Sequence, residues 1–207
     1  MDFAIVDTTH FDNKNRVFSE QRLTIPREQL SPDVTLDTTL AYRLAALYFA
    51  LLERAWGPVI NVEIDAGEIH LATPGRGVTL SFGVGVPDVS ETCAAIRWPI
   101  IGGRALDKGT DDGGTFSVGA EWDEARANLT VFSRIEGYPP SLPRWAYSLM
   151  QQRVHKFFTH RFLKETVLKL SGDVILSERS ERRISFFGAN MEILRRFAPQ
   201  NDGEMDF

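Results

Sequence analysis

Four histidines and a single cysteine offer the widest choice of chemistry in this chain of 207 residues. Their spacing narrows that choice. His155 and His160 stand five apart, about 140° around a helix, so they do not share a face as an i, i+4 metal pair would. Two polar positions on a basic helix edge is the simpler reading. His70 lies in a strand candidate beside Glu68, with Glu63 and Asp65 a turn away. That grouping would suit acid–base chemistry, although an exposed strand histidine is the commoner case. Cys93 sits among Ala94, Ala95 and Ile96 and reads as a small buried hydrophobe. Being alone, it excludes an internal disulfide and a cysteine-based zinc site, and it suits a reducing, cytoplasmic setting. Asp107, Asp111 and Asp112 occupy a glycine-rich loop, DKGTDDGG, but lack the spacing of a calcium loop. They read as a charged hairpin tip. Gly83-Val84-Gly85 lacks the continuation that opens a dinucleotide fold. No nucleophile elbow of the G-x-S-x-G type and no H-E-x-x-H pair occurs. No metal and no cofactor is therefore expected.

A second group mixes charge with aromatic rings: Arg97, Trp98, Arg104, Glu121, Trp122, Arg134, Glu136 and Tyr138. Arg134 and Glu136 are two apart on a strand candidate and so share a face. Turned inward, a buried Arg134 needs Glu121 or Glu136 as partner and would leave a polar anchor for a ligand. Turned outward, the two acids and Arg134 form surface ion pairs worth under about 1 kcal/mol. The outward placement is favoured, because burying a charge without a partner is so costly.

Whole-chain charge excludes further classes. The chain has 23 Lys plus Arg against 28 Asp plus Glu, a formal charge of -5, which argues against a phosphate-gripping protein; no nucleic-acid partner is expected. The start, MDFAIVDTTHFDNK, carries acids where a secretory leader carries bases, and its apolar run is short. The most apolar segment, Leu40 to Ala55, is broken by Arg43, Glu53 and Arg54, and falls short of the ~20 apolar residues of a membrane span.

The elements that must position these residues follow from periodicity. Phe3 to Val6 reads as a short strand, His10 to Asn15 as a turn, and Arg16 to Pro26 as a half-buried strand. From Thr39 to Trp56 apolar residues recur at three and four, the mark of an amphipathic helix, with Asp37 or Thr38 as its N-cap. Between Val59 and Tyr138 five to six short strands follow at hairpin spacing, with no room for helical crossovers, so the sheet is expected to be antiparallel. After Gly137-Tyr138-Pro139-Pro140 the helical period returns and can run from Leu142 to Leu170, ~42 Å at the helical rise. Residues 1–172 make one domain in this reading, and 173–207 an extension ending in an acidic tail.

Strand, helix, antiparallel strands and one long last helix is the element order of a helix-grip fold. The stretch from Leu129 to Phe162 resembles the last strand and closing helix of bacterial members of the START and polyketide-cyclase-like (SRPBCC) superfamily. The matching residues are Phe132-Ser133-Arg134, Gln151-Gln152-Arg153 and Phe162-Leu163. The resemblance implies an α+β fold in which a curved antiparallel sheet wraps a long C-terminal helix around a cavity for a small hydrophobic molecule such as a lipid or polyketide. It carries over no catalytic residue. On this reading the ligand site gathers Trp98, Phe116, Glu121, Phe132, Arg134, Tyr138, Trp145 and Leu149, with Val118 and Phe157 on the wall.

Two rivals stand beside the container. A cyclase or hydrolase would use the same cavity with a titratable group in it, His70, Glu121 or Tyr138. An interaction module would instead expose the last helix, which carries Arg144, Arg153, Lys156, Arg161, Lys164 and Lys169 against Glu165 alone, to an anionic membrane surface. A sheet with an apolar face needs a cover, and that favours the helix as lid.

Overall fold

Strand β2 (Val17–Pro26) shows how the sheet arises: Val17, Ser19, Gln21, Leu23 and Ile25 are all buried, while the residues between them are half-buried or exposed. A period of two sorts side chains to opposite faces. The structure, a computed structural model, describes residues 4–56, 59–107, 109, 112–142 and 158–171. Within them run β1 (Ile5–Phe11), β2, α1 (Thr38–Trp56), β3 (Asn61–Asp65), β4 (Glu68–Thr73), β5 (Gly77–Phe82), β6 (Val86–Val89), β7 (Cys93–Gly102), β8 (Thr115–Trp122) and β9 (Asn128–Tyr138). A last helix, α2, spans residues 158–170. The architecture is α+β.

The strands form one antiparallel sheet in the order β1-β2-β9-β8-β7-β5-β4-β3, with β6 also paired to β7. The sheet does not close, since β1 and β3 stand at its two ends. Its long central pairs are β2 with β9 and β8 with β9. The N-terminal hairpin thus pairs with β9, the last of the described strands.

Helix α1 starts where the sequence places it. The Leu40 amide donates to the Asp37 carboxylate at 2.7 Å, so Asp37 is the cap and satisfies an amide the helix leaves open. Its buried face, including Leu44, Leu47, Tyr48 and Leu51, joins one core with the strand residues Ile96, Trp98, Phe116, Val118 and Val131 and with Phe162, Leu163 and Val167 of α2. That core lies between the sheet and the two helices.

Several expectations need correction. The first strand runs from Ile5 to Phe11, past the assumed Val6. The turn is confined to Asp12–Arg16, where the Asp12 carboxylate accepts the amides of Lys14 and Arg16. Strand β3 begins at Asn61 rather than Val59. Strand β6 escapes the pattern because all four of its residues, Pro87 among them, are exposed at an edge. Finally, Cys93 is only half-buried; burial, with Asp88 and Glu121 nearby, raises its thiol pKa and keeps it neutral. Leu142 lies in a bend ahead of any helix. The expected helix over 143–157 and the extension from 173 fall outside the described residues.

Two glycines are set by close approach. A Cβ on Gly85 would lie 2.4 Å from the Trp98 indole nitrogen, so the ring occupies that space. On β8, a Cβ on Gly119 would meet the Ala95 Cβ at 2.4 Å and the Ala94 carbonyl oxygen at 2.7 Å. Neither neighbour can swing aside. Gly119→Ala should therefore destabilise the fold by about 1–3 kcal/mol through overpacking, seen as a lower urea midpoint with an unchanged slope. An unchanged midpoint would show that β7 and β8 are not packed this closely.

Candidate functional site

The sheet face that meets the helices is filled at its centre by aromatic rings. Trp98 stacks on Phe116 at a centroid distance of 5.7 Å, and Phe49 meets Trp98 edge-on at 5.4 Å. Tyr48 touches Phe116 at 5.0 Å, Phe158 at 4.9 Å and Phe162 at 5.2 Å. Such offset and edge-on pairs add about 0.5–1.5 kcal/mol each beyond burial. The space in front of Trp98 and Phe116 is thus taken up by protein side chains from both helices.

Beside this cluster the core turns polar. Ser19 and Gln21 of β2, Ser133 of β9, and Thr159 and Thr166 of α2 are all buried. Register sets Gln21 directly across from Ser133. Thr159 and Thr166 are seven apart, which puts them on one helix face. The hydroxyls of Ser133 and Thr159 flank the Tyr48 oxygen. Neither makes a well-formed hydrogen bond among the described residues, nor does the hydroxyl of Thr166. Burial raises the Tyr48 phenol well above its usual pKa, and the two hydroxyls draw it only partly back. The phenol therefore stays protonated and able to donate.

From this interior point the polar residues continue to the sheet edge. The Gln21 amide donates to the Ser19 hydroxyl at 2.8 Å and to the Asp7 carboxylate at 3.2 Å. Thr9 and Ser19 share a hydrogen bond at 2.9 Å. Asp7 and Thr9 are exposed. The result is a seam of neutral donors and acceptors from the core to the exposed edge strand β1, with Asp7 as the charge at its outer end. It can take up hydroxyl, carbonyl or amide groups of a ligand.

The structure divides the residues expected to form the site. Trp98 and Phe116 share the helix-facing side. Glu121, Phe132 and Arg134 face the other way, since they alternate with the core residues Ala120, Val131 and Ser133. There the Arg134 guanidinium donates through Nε and Nη2 to Glu20 at 3.0 and 2.6 Å, stands 3.7 Å from Glu121, and covers the Phe132 ring at 4.5 Å. Burial lowers its pKa, but the hydrogen bond and charge of Glu20, with Glu121 and Glu136, outweigh this and raise it. Arg134 is thus satisfied within the protein, with Glu20 as chief partner. Tyr138 donates its hydroxyl to the Ala105 carbonyl at 2.5 Å and ties the end of β9 to the loop after β7. Burial raises its phenol pKa as well. Trp145, Leu149 and Phe157 lie outside the described residues.

Sequence reasoning missed the seam itself. The available signal was Ser19 and Gln21 at inward positions of β2, in phase with Val17, Leu23 and Ile25. A shallow hollow of about 220 Å³ opens elsewhere, between the β2–α1 connection and the end of α2, with Asp33, Asp37, Arg43 and Lys169 on its wall. It is smaller than the ~300–1,000 Å³ of ordinary ligand sites and its charges are mixed. Among the described residues no three metal-ligating side chains come together, and no helix is long and apolar enough to cross a membrane.

No family model matches the sequence, and no curated protein matches it. Among solved structures the chain is similar to the crystal structure of CalU16 from Micromonospora echinospora, with 9% identity, 84% of this chain and 93% of that one covered, and a TM-score of 0.32. It is also similar to the solution structure of a protein from Arthrobacter aurescens, with 10% identity, 81% and 92% covered, and a TM-score of 0.32. A likeness of this degree fixes neither a site nor a ligand.

Proposed function

We propose that this protein binds a small, largely apolar molecule on the helix-facing side of the sheet, holding its polar end in the seam around Tyr48, Ser133 and Thr159. In this reading the chain is a cytoplasmic helix-grip domain of the START-like kind, with α2 packed on the ligand-binding side of the sheet. Trp98 and Phe116 form the rigid support behind Tyr48. The observation that carries the reading is the set of three buried hydroxyls, on Ser133, Thr159 and Thr166, without a well-formed hydrogen bond among the described residues, two of them beside the Tyr48 oxygen. Each such group costs about 1–3 kcal/mol, a cost that a bound polar atom would offset. Burying ~300 Å² of ligand contributes roughly 7 kcal/mol before association entropy is subtracted.

Native mass spectrometry of the protein purified from its own host tests this. The expected result is a co-purifying lipid-sized mass, lost in a Ser133→Ala/Thr159→Val double variant that stays folded. A structural seam behaves differently, since removing two unmatched hydroxyls is then neutral or stabilising. A protein that emerges empty, and whose melting temperature does not move with a total lipid extract of that host, would refute the proposal.

A further inference from the structure

We propose that Ser81, His70 and Glu68 form a nucleophile–base–acid relay on the outer face of the β3–β4–β5 end of the sheet, able to accept an acyl group from an activated ester. The antiparallel register places His70 of β4 directly opposite Ser81 of β5, and the ring Nδ1 is 3.0 Å from the serine Oγ. Glu68, two residues earlier on the same strand and so on the same face, brings a carboxylate oxygen to 3.7 Å from Nε2. Glu63 of β3 is the cross-strand neighbour of His70 on its other side.

The Glu68 carboxylate, 3.7 Å from Nε2, favours the proton there, which leaves the Nδ1 lone pair to accept the serine proton. A nucleophile within hydrogen-bond reach of a base, with the base oriented by a third group, is the general arrangement for covalent catalysis. The ring is used in the opposite sense from serine proteases, where Nε2 takes the proton. The group is also accessible. The His70 side chain is 23% exposed and that of Glu68 41%, and on the far side Ser81 faces Gly102 of β7, which has no side chain to roof it. Ile69, between Glu68 and His70, is buried in the core, so the relay lies on the opposite face from the Tyr48 seam and is independent of the ligand reading.

In the reaction the Ser81 oxygen attacks the ester carbonyl carbon while its proton passes to His70 Nδ1. The carbon–oxygen bond to the leaving alcohol then breaks, and His70 returns the proton to that oxygen. Water repeats the sequence on the acyl-serine and releases the acid, so that ester plus water gives acid plus alcohol.

The test treats the full chain with 4-nitrophenyl acetate, follows nitrophenolate release and maps the acetylated peptide. Acetyl is expected on Ser81, at a rate at least about 10²-fold above that of His70→Gln, with a smaller loss in Glu68→Gln. Acetylation confined to lysines or to Cys93 would overturn the proposal, as would Ser81 labelling equally fast in His70→Gln. If Ser81→Ala fails to fold, the wild-type peptide map and the His70→Gln rate decide the question by themselves.

Discussion

Replacing Trp98 with alanine should lower the unfolding free energy by about 3–5 kcal/mol, a large part of the ~5–15 kcal/mol that holds a typical domain together. The indole is fully buried and wedged between Phe49 and Phe116, and Gly85 gives it room at its nitrogen edge. These neighbours come from a helix, a strand and the β5–β6 connection, which must all move to close the cavity. The loss should therefore be near the upper end of the range. Trp98→Phe should be milder, because it keeps the ring contacts and removes an indole N–H that has no partner among the described residues. Urea unfolding of the three proteins measures both effects. A loss below about 1 kcal/mol for the alanine variant would mean that the aromatic cluster is not a packed core.

Alkaline pH should unfold the protein through two tyrosines. Tyr48 and Tyr138 are both raised above the usual phenol value of 10.0 by burial. The unfolded chain releases these protons near that value, whereas the folded chain retains them at higher pH. Their contribution is thus fully present below the unfolded value and is lost as pH climbs beyond it. Each phenol then removes about 1.4 kcal/mol per pH unit, and the two together about 2.7 kcal/mol. Denaturant midpoints measured on either side of the phenol range give the slope. In Tyr48→Phe the tyrosine-linked part of that slope should fall by about half. A Tyr48→Phe slope equal to the wild-type one would place the Tyr48 hydroxyl in water.

Some of this was readable in the linear order of residues. Helix α1 is legible because apolar spacing and a capping aspartate act within one turn of each other, and the structure places both within a residue of expectation. Strands β8 and β9 are legible because their core-facing apolar residues, Phe116, Val118 and Ala120 on one and Leu129 and Val131 on the other, recur at every second position. Strand β1 was misread since, at an edge, its polar residues are exposed on both faces and leave no alternation. The outward placement of Arg134 followed from the cost of an unpaired buried charge. Its partner did not: Glu20 lies 114 positions away, and only the β2–β9 pairing brings the two together.

The sequence by itself determined which side of α1 and of β2 is apolar, where α1 begins, and that the strands run antiparallel. Each of these is a local property, set by side-chain period, capping and loop length. Only the tertiary structure decided which inward polar residues meet: Gln21 with Ser133, Ser133 and Thr159 with Tyr48, and on the outer face His70 with Ser81. Strand parity sends a residue to a face, but register between distant strands chooses its neighbour. Many registers share the same parity, and the choice among them is made by the packing of the whole core.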